Sequence, residues 1–156
     1  MKAYAPRLSR SATLCDEGHL AAIKAKEVRA DIVLEDNMRK VNIAEKFSKI
    51  TEYWKPYVGA ELNGQMVKFD KIKGEFVFHH HENEDELFLV VKGRFRMEFR
   101  DHHEWIEEGE FIVVPRGVEH RPVADEECWF LLFEPASTLN TGNVVNERTV
   151  AKLDRV

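Results

Sequence analysis

From residue 57 to residue 133 the chain sustains no helical period, and this constrains the fold more than any other feature of the sequence. Short apolar runs recur instead, over 57–62, 65–73, 75–81, 86–91, 94–100, 105–106, 111–114, 120–123 and 128–133, with turn-forming residues between them. The cleanest is 94–100, where Phe95, Met97 and Phe99 alternate with Arg94, Arg96, Glu98 and Arg100. Side chains on a strand alternate between faces, so this run is half-buried strand. Asn63-Gly64, between the first two runs, favours the positive φ angles of a tight hairpin turn. Nine short strands at such close spacing predict an all-β sandwich or barrel.

Before the strands the pattern differs. Asn42 and Glu45 have the spacing of a capping box, and Ile43, Ala44, Phe47 and Ile50 follow at helical intervals, which predicts a short helix from 43 to about 53. A second helix-like stretch, 17–30, has only a thin Ala-rich apolar face, so the region 1–40 is expected to be a loosely attached extension to a domain spanning 41–156. Charge divides at the same place: 1–40 carries eight basic and six acidic side chains, and 41–156 carries fifteen and twenty-two. The tail after Glu134 is too poor in apolar residues to fold alone. It is expected to pack on the barrel or reach a second subunit, with a short helix near 147–153.

Composition narrows the function classes. A net charge of −5 gives no general attraction to nucleic acid or anionic lipid. The longest uncharged apolar run, 128–133, is far short of the ~18 residues that cross a membrane as a helix. Cys15 and Cys128 lie far apart, without metal-ligand spacing, and no signal-peptide-like apolar stretch follows the N-terminal basic residues. A reduced, cytoplasmic protein is therefore expected.

The chemistry gathers at two histidine-bearing segments. His79 and His81 share one face of a strand and His80 takes the other, so two imidazoles can grip one cation. Glu86 opens the next strand, where a hairpin brings its carboxylate beside the two rings, with Glu84 and Asp85 as alternatives if the turn is wound differently. The other segment runs from Gly109 through Pro115 and Gly117 to His120, a bend that presents His120 at a strand mouth. Three imidazoles and one carboxylate, without a thiolate, suit a divalent Fe, Mn, Ni, Zn or Cu ion. Other residues read as bland. Glu82 and Glu84 are turn residues facing solvent; His102 and His103 are exposed turn residues; Phe76, Phe78, Phe88, Phe95, Phe99 and Phe111 are core. Cys128 is a small core residue, and Lys68, Lys71 and Lys73 are mostly solvated, with one of them available to an anionic substrate.

The run from Gly74 through His79, His81 and Glu86 to Gly93 resembles the first motif of the cupin superfamily, and Gly109 to His120 resembles the second. Glu134-Pro135 and Asn140-Thr141-Gly142 further resemble the ends of small single-domain bacterial cupins, often labelled mannose-6-phosphate isomerase-like. The resemblance runs from about Asn42 to the C-terminus. It implies a double-stranded β-helix, or jelly-roll, barrel, with His79, His81, Glu86 and His120 as metal ligands, and a homodimer. The function to expect is binding or conversion of a small organic substrate at the metal, by dioxygenase-like or isomerase-like chemistry; the other class is a non-catalytic metal-dependent binder or sensor. Two departures stand out. Four residues rather than five separate Gly74 from the first ligand, and Ala124 replaces the Asn that closes the second motif. A strand slipped by one residue would turn His80 inward and dissolve the pair. Matching family members start near Met38, so residues 1–37 are expected to be an addition that does not serve the site.

Overall fold

The computed structural model describes Ala22 and residues 39–156, and Arg39–Val156 forms one compact unit. The expectations for 1–40, including the helix over 17–30 and the setting of Cys15, otherwise lie outside the described residues. No helix among the described residues is long and apolar enough to cross a membrane.

Helix α1 (Ile43–Ser48) starts as its cap dictates, with the Asn42 side chain accepting a hydrogen bond from the Glu45 N–H at 3.1 Å. It stops about five residues earlier than expected. The Trp54 N–H donates to the Lys71 carbonyl at 2.9 Å, and Trp54 takes a positive φ of 61°, so the chain leaves the helix to dock on the sheet. Phe47 then stacks on Trp129 at 5.0 Å and tilts against Phe69 at 5.1 Å. Burying a side chain of that size contributes about 2 kcal/mol, enough to fix a helix too short to stand alone.

Strands β1 (Tyr57–Leu62) and β2 (Gln65–Glu75) form the expected hairpin, with Leu62 opposite Gln65 and both Asn63 and Gly64 at positive φ. There follow β3 (Glu86–Lys92), β4 (Phe95–Phe99), β5 (His103–Ile106), β6 (Phe111–Val114) and β7 (His120–Pro135). The last merges two of the expected strands. Asp125, Glu126 and Glu127 interrupt its apolar pattern, but they mark only a local irregularity facing the shift between Ile72 and Gly74.

Strand β7 joins the architecture together. Its first residues, His120–Val123, pair with β4, Trp129–Phe133 pair with β3, and β2 runs along its other edge. One long strand therefore belongs to both walls, which closes a jelly-roll barrel. The interior is filled by Ile72, Phe88, Val90, Phe95, Met97 and Phe130, among others. Of the aromatics expected in the core, Phe76, Phe88 and Phe95 are buried, but Phe78 and Phe99 are half-buried and Phe111 is 62% exposed. The face of β6 carrying Phe111 has no wall over it among the described residues. The tail packs on the barrel through buried Thr138 and Thr141. The expected helix near 147–153 is absent; instead β8 (Asp154–Arg155) adds to β1 in parallel, because unsatisfied edge groups of β1 are there to be paired.

Candidate metal centre

Gly74, at a φ of +82°, lets the chain turn away just before β2 ends, so the expected strand over 75–81 is lost. What survives is one antiparallel bridge, His79 to His120, with backbone hydrogen bonds of 3.0 and 2.9 Å in the two directions. That bridge sets the parity. His79 and His81 point inward, at 3% and 4% exposure, while His80 turns outward to Glu82 at 2.9 Å. The one-residue slip does not occur.

The second motif fastens the first. In the turn Pro115-Arg116-Gly117, the Gly117 N–H donates to the His81 carbonyl at 2.7 Å and the Arg116 N–H donates to the Asp85 side chain at 2.9 Å. This commits Asp85 outside the site and leaves Glu86, the first residue of β3, buried within it. Glu84 faces Ser137 instead, and Glu82 is exposed. The His102 ring bonds Asp101 and His103 starts β5, both exposed.

One ligand atom from each of His79, His81, Glu86 and His120 lies within 4.8 Å of the others. Donors bound at ~2.1–2.2 Å to one ion lie at most about 4.4 Å apart, so the cluster is close to coordinating dimensions. The rings are oriented for the task. His79 Nδ1 lies 3.0 Å from the Val77 carbonyl and His120 Nδ1 lies 2.9 Å from that of Val118, so each Nδ1–H donates outward and leaves its Nε2 lone pair facing the centre. Burial, reinforced by the neighbouring His120, pushes His79 down to about 4, so its ring is neutral at pH 7.

Glu86 Oε2 sits 3.2 Å from both His81 Nε2 and His120 Nε2, yet none of these three buried atoms has a hydrogen bond of acceptable geometry. Unpaired polar atoms are costly in a dry interior. Three of them aimed at one point, from a nitrogen-and-oxygen donor set, fit a divalent transition metal. Burial opposes ionisation of Glu86, but the His120 and His81 imidazoles, with Glu134, hold its carboxyl well below the usual range.

Behind the cluster lie residues that the sequence reading did not select. Lys68, expected in solvent, is wholly buried, and its Nζ pairs with Glu134 Oε1 at 2.7 Å. Burial and the nearby Glu86 carboxylate push Glu134 well above the carboxylate range, with Lys68 pulling it back. Asp70 is buried two residues further along β2. The missed signal was parity, because Lys68 and Asp70 share the inward face of Ile72. Asn143 was missed as well: it exchanges two hydrogen bonds with the His80 backbone, clamping the segment between the first two ligands. Cys128 is core as expected, its thiol pushed up to about 12 by burial.

A model of the cupin domain matches residues 66–133. The chain is similar to a cupin-2 domain containing protein of Shewanella frigidimarina, with 43% identity, coverage of 61% of this chain and 93% of that one, and a TM-score of 0.60. A Neisseria meningitidis protein is 30% identical, with 63% and 100% covered and a TM-score of 0.59. The Bacillus subtilis protein YdbB is 32% identical over 63 residues, which is 40% of this chain and 56%, little more than half, of that relative.

Proposed function

This chain belongs to the cupin family, and we propose that its barrel holds one divalent transition metal ion through His79, His81, Glu86 and His120 and exposes it to a small organic molecule. The observation that carries this reading is the convergence of buried, unpartnered His81 Nε2, His120 Nε2 and Glu86 Oε2. When bound, iron or another redox-active ion supplies dioxygen chemistry, and zinc or manganese supplies polarisation of a carbonyl or hydroxyl. The chain's own residues do the rest. Val77 and Val118 fix the rings, Glu86 offsets one positive charge, and the turn at Pro115–Gly117 keeps the two motifs in register.

The adjoining cavity is lined by His79 and Glu86 together with Trp54, Phe76, Phe88 and Phe130. Among the described residues lining it there is no Lys or Arg, which favours an uncharged or weakly charged oxygenated molecule over a sugar phosphate. Oxygen-dependent chemistry on such a molecule is the reading supported best; binding without turnover is the other class. Metal content of the purified protein, followed by oxygen uptake with catechols, diketones and acireductone-like compounds, separates them. Stoichiometric iron with substrate-dependent uptake supports the oxygenase, and tight binding without uptake supports the binder. A protein carrying His79→Ala and His120→Ala together loses its metal if the site is right. Full metal content in that variant refutes it.

A further inference from the structure

The inward face of β2 carries Lys68, Asp70 and Ile72 in succession. Ile72 packs in the core and Lys68 is paired, but Asp70 has no charged partner among the described residues. Its carboxyl is held by the backbone N–H groups of Lys55 and Lys71, while its Oδ1, buried from solvent, meets no hydrogen-bond partner among the described residues. Anchoring Lys55 and Lys71 would not require a second, dry oxygen at this point. Asp70 also lines the cavity that His79 and Glu86 border, together with apolar Phe76, Phe88 and Leu132; the Trp54 indole N–H there already donates to the Lys73 carbonyl at 2.9 Å, the Asn140 amide is engaged with Arg148 and Val150, and Glu134 Oε2 is, like Asp70 Oδ1, buried without a hydrogen bond. A buried polar group without a partner among the described residues, on the wall of a cavity that adjoins a candidate metal centre, has the placement of a ligand contact.

We propose that Asp70 is a substrate-binding residue, hydrogen-bonding one oxygen of a small molecule with vicinal oxygens while another oxygen faces the His79, His81, Glu86 and His120 cluster. This rests on the metal reading above and adds the class of ligand: α-hydroxy or α-keto compounds rather than molecules with a single oxygen function. The cavity of about 30 Å³ sets the scale. It takes about two water-sized groups, so only a small part of the ligand fits within it and anything larger projects toward the mouth. Burial keeps the Asp70 carboxyl well above its ordinary range, so it meets an anionic ligand as a neutral hydrogen-bonding group rather than as a like charge.

Glycolate and acetate are the probes, since they differ by the α-hydroxyl group. The full chain is loaded with cobalt(II), and each anion is titrated against the visible spectrum of the ion, with calorimetry in parallel. The wild type is expected to bind glycolate about tenfold more tightly than acetate, the worth of one well-placed hydrogen bond. Asp70→Leu and Asp70→Ala are expected to erase most of that preference while keeping one cobalt per chain and an unchanged or higher melting temperature. A wild type without the preference, or variants that retain it, overturns the assignment and leaves the metal centre standing. Loss of cobalt or a lowered melting temperature in both variants also overturns it, because Asp70 is then a structural residue. A wild type that takes up no cobalt removes the metal reading itself, and this proposal with it.

Discussion

Replacing Lys68 with Met tests whether the barrel floor is organised by a charge pair. Lys68 and Glu134 are almost wholly buried, their charged atoms are 2.7 Å apart, and the Lys68 ammonium also donates to the Thr138 carbonyl at 3.3 Å. Removing one partner of a buried pair costs about 3–5 kcal/mol, because the other is left uncompensated in a medium that solvates it poorly. Glu134 escapes part of that penalty, since burial and Glu86 already drive it toward its neutral form. The low end, about 3 kcal/mol, is therefore expected for Lys68→Met, which lowers the melting temperature of a domain this size by roughly 10 °C. The double variant Lys68→Met with Glu134→Leu restores a filled, apolar interior and should return to within about 1 kcal/mol of the parent. Urea titrations at pH 7 in the presence of chelator read both, with unchanged slopes marking a common unfolded state. A single variant within about 1 kcal/mol of the parent refutes the reasoning, as does a double variant no more stable than the single one.

Two further outcomes follow from the same interior. A Cβ on Gly142 would lie 2.2 Å from the His80 carbonyl oxygen and 3.2 Å from the His79 ring, at a φ of +51°, so Gly142→Ala should push the tail off the first motif. Metal affinity, read by competition with a chelator, is expected to fall about tenfold or more, and unchanged affinity would show that the tail does not position His79. Asp70 has its folded pKa raised by burial, so between the unfolded value of ~3.9 and the folded one the native state holds a proton that the unfolded state has released, and stability falls as pH rises through that window. The urea midpoint of Asp70→Asn relative to the parent should therefore be higher at pH 7 than at pH 4, and a gap independent of pH contradicts this.

The relation between sequence and site explains why some residues were legible and others were not. His79, His81, Glu86 and His120 stood out because imidazole and carboxylate at alternating and turn-bounded positions have few other uses, and the structure brings the four together. Asp125–Glu127 misled in the opposite direction, splitting β7 on paper, since a cluster of charges reads as a loop unless the partner strand is known. Lys68 reads as surface because lysine usually is, and that expectation gives way only when a neighbouring wall buries it; Asp70, buried beside it, carries no local signal of its own. Phe111 failed for the converse reason: its alternation is right for a strand, but no wall covers that side of it.

What the sequence determined by itself was local. Strand period, the Asn63-Gly64 turn, the Asn42 cap and the choice of metal-competent side chains all follow from covalent geometry and residue chemistry within a few positions. What only the tertiary structure decided was which of these faces meet. The single bridge between His79 and His120 fixed the inward parity of the triplet, the second motif's turn excluded Asp85, and the tail's Asn143 locked His80 outward. Each involves partners dozens of residues apart, and contacts across such separations are set by how the two walls of the barrel close over one another, which no local pattern encodes.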